Sequence, residues 1–401
     1  MKYIERNKYI EKITPYVGKE IIKVLTGQRR VGKSYIMLQL CDRIKEMDST
    51  GNLIVINCEL EEFRFLKTSA DLYEYVKSKL EAGIDNYLFI DEVQEINGFQ
   101  DALRSLLAER KCDIYCTGSN ANILSSELAT YLSGRYIEFY IHSLSYREFL
   151  QFHRLDTSQD SLMKYLTFGG MPFLVNLELS QTQVYEYLSN VQSTIILKDV
   201  VAKENIRNVP FLENLVEYVA DNVGSLFSAS NISKYLKSQK INISPQVVIN
   251  YLKALSNAYI IHKVVRADVV GLKIFEVGEK YYFEDLGLRN TIRGFNVAND
   301  IHKLMENAVY LHLAQSGYTV HVGKLGDKEI DFMAEKEGNR IYVQVTLSAL
   351  DEKTKEREFG NLMDIEDNYP KYVVALNDMI IGNDYKGIRY MNLEGFLLGS
   401  V

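Results

Sequence analysis

The chain has 401 residues, enough at roughly 100–200 per domain for two to four domains and far above the size at which a core needs staples. It is 47% hydrophobic and 25% charged with only five prolines, which excludes wholesale disorder and long Pro-rich linkers. A formal net charge of −7, from 46 Lys plus Arg against 53 Asp plus Glu, excludes a uniformly basic nucleic-acid binder, so any DNA contact is expected as a local patch.

Residues 1–20 interleave charged with apolar side chains and lack the apolar run of a secretion signal. No later stretch approaches the roughly 18 apolar residues that cross a bilayer, so the expectation is a cytoplasmic protein without membrane contact. Over 1–144, short β-rich runs at 21–26, 53–57, 87–91, 112–118 and 136–141 alternate with helical patterns at 33–47, 69–80 and 98–109. That alternation predicts an α/β domain whose parallel sheet is covered by helices. Cys41, Cys58, Cys112 and Cys116 show no CxxC spacing and read as reduced core residues. Cys112 and Cys116 share one face of a predicted strand, where a buried apolar role is favoured over a metal pair.

Helical periodicity dominates 145–210, broken at Gly169-Gly170-Met171-Pro172, and predicts a helical lid. Over 211–284 three helices are expected, at 211–218, 230–236 and 246–255, the last opened by Ser244 as cap and Pro245 at the first position. Extended segments at 259–266 and 273–277, with a turn at Gly271, complete a winged-helix pattern. Residues 285–401 return to mixed structure, with a helix at 301–315 and strands at 318–322, 329–334, 340–346 and 372–376, and predict a further α/β domain.

The first strand runs into Gly27-Gln28-Arg29-Arg30-Val31-Gly32-Lys33-Ser34 and then a helix, which is GxxxxGK[ST] in its strand–loop–helix setting. Glycines at both ends let the backbone curl so that amides face phosphate oxygens, and the helix dipole adds positive potential. Residues Gly27 to Ser34, with Tyr35 on the first helical turn, form the expected nucleotide cradle. Lys33 would reach the β- and γ-phosphates, and the Ser34 hydroxyl would help hold Mg²⁺. The apolar strand Tyr87-Leu88-Phe89-Ile90 ends in Asp91 and Glu92 at the expected carboxyl edge of the sheet. Asp91 is then a candidate Mg²⁺ holder and Glu92 a candidate base for the attacking water. The alternative is that two acids merely end a buried strand; the loop upstream favours the hydrolytic reading. No guanine-reading Asn-Lys-x-Asp is present, which makes ATP the expected nucleotide.

These residues resemble the P-loop ATPases of AAA/STAND type found in bacteria and archaea, with a C-terminal domain of unknown function. The likeness rests on Gly27–Ser34 with Arg29-Arg30, Leu88-Phe89-Ile90-Asp91-Glu92-Val93-Gln94, Thr117-Gly118-Ser119-Asn120, Leu132-Ser133-Gly134-Arg135, Leu144-Ser145-Tyr146-Arg147-Glu148-Phe149 and Gly169-Gly170-Met171-Pro172. It implies that Ser119 or Asn120 senses the γ-phosphate, although a capped turn explains that run equally well. It also makes Arg135 a candidate for stabilising transition-state charge, within its own subunit or across to a neighbour, against a plain surface role. Arg29 and Arg30 are expected on the exposed side of the loop.

In the winged-helix segment Lys234, Lys237, Lys240, Lys253, Lys263 and Arg266 oppose Glu213, Glu217 and Asp221, while the third helix contributes only Lys253 with Gln246 and Asn250. Such weak basicity leaves DNA contact and protein docking both open. The order Glu306, Asp331, Gln344, Thr346 resembles the restriction-endonuclease-like fold, but Gln344 and Thr346 stand where an anionic ligand and a lysine are expected. A neutral amide holds Mg²⁺ weakly and a hydroxyl cannot replace the lysine, so an inactive scaffold is expected ahead of a feeble Mg²⁺-dependent nuclease. The leading expectation is a nucleotide-controlled switch; a DNA-binding regulator with structural ATP is the alternative.

Overall fold

A computed structural model describes residues 3–121, 132, 134–238, 241–271, 278–347, 359–376 and 384–399. Two compact units divide the chain, one of residues 1–142 with 257–259, the other of residues 143–256 with 260–401.

In the first unit, five parallel strands form one sheet: β1 (Ile22–Thr26), β2 (Asn52–Asn57), β3 (Asn86–Asp91), β4 (Asp113–Gly118) and β5 (Tyr136–Tyr140). Their order is β2-β3-β4-β1-β5. β1 and β3 are buried at every residue, as expected for strands covered on both faces. A short helix α1 (Asn7–Ile13) precedes the sheet, and α2 (Lys33–Met47), α3 (Ser69–Lys79) and α4 (Phe99–Ala108) connect its strands. Ile22, Val24, Ile54, Ile56, Leu88, Ile90, Leu103 and Leu106 share one core, which binds α3 and α4 to the sheet. Register places Thr26 opposite both Gly118 and Tyr140, so the loops after β1, β3 and β4 emerge at one carboxyl edge. All four cysteines are free, and burial pushes the Cys116 thiol up to about 12. The helix α1 was not anticipated from the sequence.

The second unit opens with α5 (Tyr146–His153), α6 (Gln159–Phe168) and α7 (Gln181–Thr194). Ser145 and Glu148 form a capping box at the start of α5, which accounts physically for the spacing Ser145-x-x-Glu148. The Gly169-Gly170 pair has an equally local cause. A Cβ on Gly169 would stand 2.4 Å from Asp285, and one on Gly170 would stand 2.3 Å from the Leu144 carbonyl oxygen. Absence of side chains there lets Asp285 accept the Gly170 N–H at 2.7 Å. A π-helical stretch, Ile195–Ala202, continues from α7 and buries Asp199, which is paired to Lys203 at 3.1 Å.

Three helices follow, α8 (Val209–Asp221), α9 (Ala229–Ser238) and α10 (Pro245–Asn257), then the antiparallel pair β6 (Ile261–Val264) and β8 (Lys280–Phe283). An isolated antiparallel bridge joins Phe227, between α8 and α9, to Glu279. The expected strand at 273–277 lies outside the described residues. The expected strand at 259–266 is shorter than its pattern, because the chain leaves β6 and enters another sheet as β7 (Arg266–Asp268).

After α11 (Leu286–Arg293) and α12 (Val297–Gln315) come β9 (Thr319–Leu325), β10 (Lys328–Lys336), β11 (Asn339–Thr346), β12 (Lys371–Ala375), β13 (Asp384–Tyr385), β14 (Ile388–Asn392) and α13 (Leu393–Leu398). They build a mixed sheet of order β13-β14-β12-β11-β10-β9-β7. Among the described residues no helix is long and apolar enough to cross a membrane.

Candidate functional site

The loop between β1 and α2 turns through three left-handed positions, Gly27 at φ 141°, Arg30 at φ 74° and Gly32 at φ 96°. A Cβ on Gly27 would lie 2.2 Å from the Ile141 carbonyl oxygen, so glycine is required for close approach as well as for the turn. Gly32 caps α2, and Lys33 and Ser34 open its first turn, where amides lack intrahelical partners.

Lys33 is buried, and its ammonium donates to the carbonyls of Gly27 and Gln28 at 3.0 Å each. It stands 3.9 Å from Glu92 Oε1. The Gln28 side chain is fully buried, and neither its amide nitrogen nor its amide oxygen has a hydrogen-bond partner. An orphaned buried amide is costly, which marks the loop interior as a place where stability is given up. The Gln28 amide is enclosed by protein, so it is a feature of the loop interior; the Lys33 ammonium at the start of α2, among the helix's first unpaired amides, is what fits an anionic polar ligand.

At the end of β3, Asp91 accepts from the Thr117 hydroxyl at 2.6 Å. Burial pushes its carboxyl above the ordinary range, against hydrogen bonds from Thr117 and Ser34 that pull it down. A metal beside Asp91 would relieve that desolvation, and the Ser34 contact puts the second hard oxygen at the same place. Glu92 follows in the left-handed region at φ 55°, an uncommon conformation for a non-glycine residue, and its N–H donates to Thr117 Oγ1 at 2.9 Å. The Ser119 hydroxyl donates to Glu92 Oε2 at 3.0 Å, and the Gln94 amide bridges Glu92 and Ser119. One carboxylate oxygen is thereby held while the other lies on the Lys33 side.

The structure thus brings together Gly27, Gln28, Gly32, Lys33, Ser34, Asp91, Glu92 and Ser119. Val31 is buried, Asn120 is buried beside Ser119 in sequence, and Tyr35 is exposed. The two arginines differ from expectation and from each other. Arg30 is exposed, whereas Arg29 is largely buried and pairs with the half-exposed Glu59 at 2.9 Å.

Arg135 is not brought to the loop. It precedes β5 and is exposed, with its carbonyl accepting the Ile22 N–H at the amino edge of the sheet. The loop leaves the opposite edge, five residues of β1 away, or about 16 Å at the rise of a strand. Sequence reasoning also missed Arg6, a buried residue whose guanidinium donates to the carbonyls of Val31 and His142 at 3.0 Å and so fixes the loop from behind. Thr117 and Gln94 stand inside the blocks that carry the resemblance without a role assigned from sequence, and their hydrogen bonds to Asp91 and Glu92 make them positioning residues.

Residues 19–150 match a family described as an AAA domain, and residues 159–299 match a domain of unknown function (DUF8612). The chain is 35% identical over 381 residues to an uncharacterized protein of Haemophilus influenzae, with 93% of each chain covered. It is 29% identical over 391 residues to an uncharacterized protein of Methanocaldococcus jannaschii, covering 94% of this chain and 83% of that one. Among solved structures, the Aeropyrum pernix ORC1 protein in complex with DNA aligns at 12% identity and a TM-score of 0.36, over 73% of this chain and 92% of its own. AMPPCP-bound DnaA from Aquifex aeolicus aligns at 14% identity and a TM-score of 0.31, over 64% and 89%.

Proposed function

The chain belongs to the family of its Haemophilus influenzae relative and carries an AAA-type nucleotide-binding domain at residues 19–150; from that premise we propose that it is an ATPase acting as a nucleotide-controlled switch. The observation that carries this reading is the buried Lys33 ammonium on two carbonyls of the loop before α2, 3.9 Å from Glu92. Lys33 exchanges those neutral acceptors for phosphate oxygens, to which charge-assisted hydrogen bonds are roughly twice as strong. Ser34 and Asp91 would hold Mg²⁺, which when bound supplies neutralising charge for the phosphates. Glu92 accepts the proton of the attacking water, with Ser119 and Gln94 fixing its carboxylate. Asn120 is assigned a supporting place beside Ser119, and Arg135 none within its own chain. Calorimetry with ATP and Mg²⁺ tests the reading: the wild type binds, Lys33→Ala does not, and an unaltered heat in that variant overturns it.

For the output of the switch we assign the unit from α8 to β8, read as a winged helix. Three helices followed by the β6–β8 pair, with the Phe227–Glu279 bridge as a third connection, support that reading. Lys234, Lys237 and Lys253 are exposed on it and offer a modest basic surface to a DNA duplex. Duplex binding that weakens with salt and with neutralisation of these three lysines is the expected result; no binding at low salt leaves a protein partner as the output.

A further inference from the structure

Away from the nucleotide site, a largely buried charged cluster lies where β8 meets α12 and β10. Lys280 is 3% exposed, and its ammonium lies 2.9 Å from Glu306 Oε1, 3.0 Å from Glu329 Oε1 and 3.6 Å from Asp331 Oδ1. Three carboxylates thus converge on one nitrogen. Two of them, Glu306 and Asp331, are the acids that the nuclease-like order singles out for a metal, whereas Glu329 and Lys280 carry no motif.

The remaining acceptor capacity is also engaged. Alternation along β8 puts Tyr282 on the same face as Lys280, and its hydroxyl donates to Glu306 Oε1 at 2.6 Å. The Val345 N–H donates to Asp331 Oδ2 at 2.8 Å. Gly224 packs against the Glu306 carboxylate so closely that a Cβ there would stand 2.7–2.9 Å from its atoms. Each of these groups supplies a proton or a wall to Glu306 or Asp331, while Glu329, 37% exposed, closes the cluster on its solvent side.

An ammonium and a divalent cation compete for the same oxygens, since both are satisfied by converging carboxylates and neither tolerates the other's charge at contact distance. We propose that Lys280 is the resident cation of a latent divalent-metal site formed by Glu306, Glu329 and Asp331, and that it keeps this site closed to Mg²⁺ or Mn²⁺. The inference is independent of the ATPase reading. It gives a second reason, beyond Gln344 and Thr346, why metal-dependent hydrolysis at this position is silent. It also ties β8 to α12, since Glu306 is bound by Lys280 and the adjacent Asn307 side chain bonds both the N–H and the carbonyl of Phe283 at 2.8 Å.

The test is a Mn²⁺ titration of the full nucleotide-free chain, followed by the paramagnetic resonance signal of free Mn²⁺. The wild type and Asp331→Asn should retain the same amount of Mn²⁺, while Lys280→Met should gain one further ion per chain, lost again in Lys280→Met/Asp331→Asn. A wild-type ion that disappears in Asp331→Asn overturns the proposal, because the metal then coexists with Lys280. A folded Lys280→Met chain without the extra ion overturns it as well. If that variant does not fold, Lys280→Gln takes its place in the same titration, an extra ion lost again with Asp331→Asn supporting the proposal and no extra ion refuting it.

Discussion

Among the described residues three buried lysines, Lys23, Lys33 and Lys280, stand beside acids, and for the last two what each ammonium touches separates a site that awaits a ligand from one that contains its own. Lys33 rests on two backbone carbonyls, keeps Glu92 at 3.9 Å and borders an amide without partners. Lys280 is bound by two carboxylates at 2.9 and 3.0 Å with a third at 3.6 Å. Neutral acceptors are readily exchanged for phosphate; paired carboxylates are not. Burial of a lysine alone therefore says little about function, and the identity of its acceptors says much.

The sharpest way to break this comparison is to remove each lysine and measure both binding and stability. Lys33→Ala should lose ATP affinity by at least about 100-fold in calorimetry, since it removes the charged partner offered by the loop interior, at little expense in urea stability. Lys280→Met should do the reverse, keeping ATP affinity within about 2-fold while losing about 3 kcal/mol of unfolding free energy, because two buried carboxylates, Glu306 and Asp331, lose their cation. If both variants fail in the same assay, the two sites are not distinct in kind.

The next effect concerns chemistry alone. Glu92→Gln preserves the shape of the carboxylate and its contacts with Ser119 and Gln94 but cannot take a proton. ATP binding should persist while single-turnover hydrolysis falls by about 10²–10⁴-fold. Unchanged turnover would remove Glu92 from the reaction and leave the strained backbone at φ 55° without a functional cause.

What the sequence disclosed follows the same division. Elements made by local rules were legible: all five parallel strands of the first unit lie within about a residue or two of their patterns, and GxxxxGK[ST] located the loop because its backbone demands glycine. Contacts made by distant residues were not. Arg6 and Lys280 look in sequence like ordinary surface charges, and only the folded chain carries Arg6 to the back of the loop and Lys280 into the acids. Arg135 shows the opposite limit: a motif near a strand does not say which end of the strand it occupies, and here it lies away from the loop of its own chain. The switch of the chain from β6 into β7 escaped the alternation pattern because both pieces are extended and only their partners differ.

A smaller effect sharpens the account of the closed site through pH. Burial, with the Glu306 charge beside it, holds the Asp331 carboxyl above the ordinary carboxylate range, and Lys280 only partly offsets this. A carboxyl raised in the folded state binds its proton more tightly there than when unfolded. Its contribution therefore favours folding at low pH and is lost as pH rises through the folded value. Urea midpoints from pH 4.5 to 7.5 should show the wild type losing about 1–2 kcal/mol relative to Asp331→Asn, since each factor of ten in proton affinity is worth about 1.4 kcal/mol. A constant gap would mean that Lys280 fully compensates the acids.

The smallest expected effect belongs to Arg135. The arginine lies at the amino edge of the sheet, about 16 Å along β1 from the loop, too far for its side chain to meet a phosphate held at the carboxyl edge. Arg135→Ala should therefore leave both ATP affinity and turnover within about 2-fold at protein concentrations where the chain is alone. A large loss of turnover that grows with protein concentration would show the guanidinium serving a neighbouring copy, since charge stabilisation supplied in trans is worth about 10³–10⁵ in rate. The concentration dependence, rather than the loss itself, separates that outcome from damage to the β1–β5 pairing, which would lower stability at every concentration.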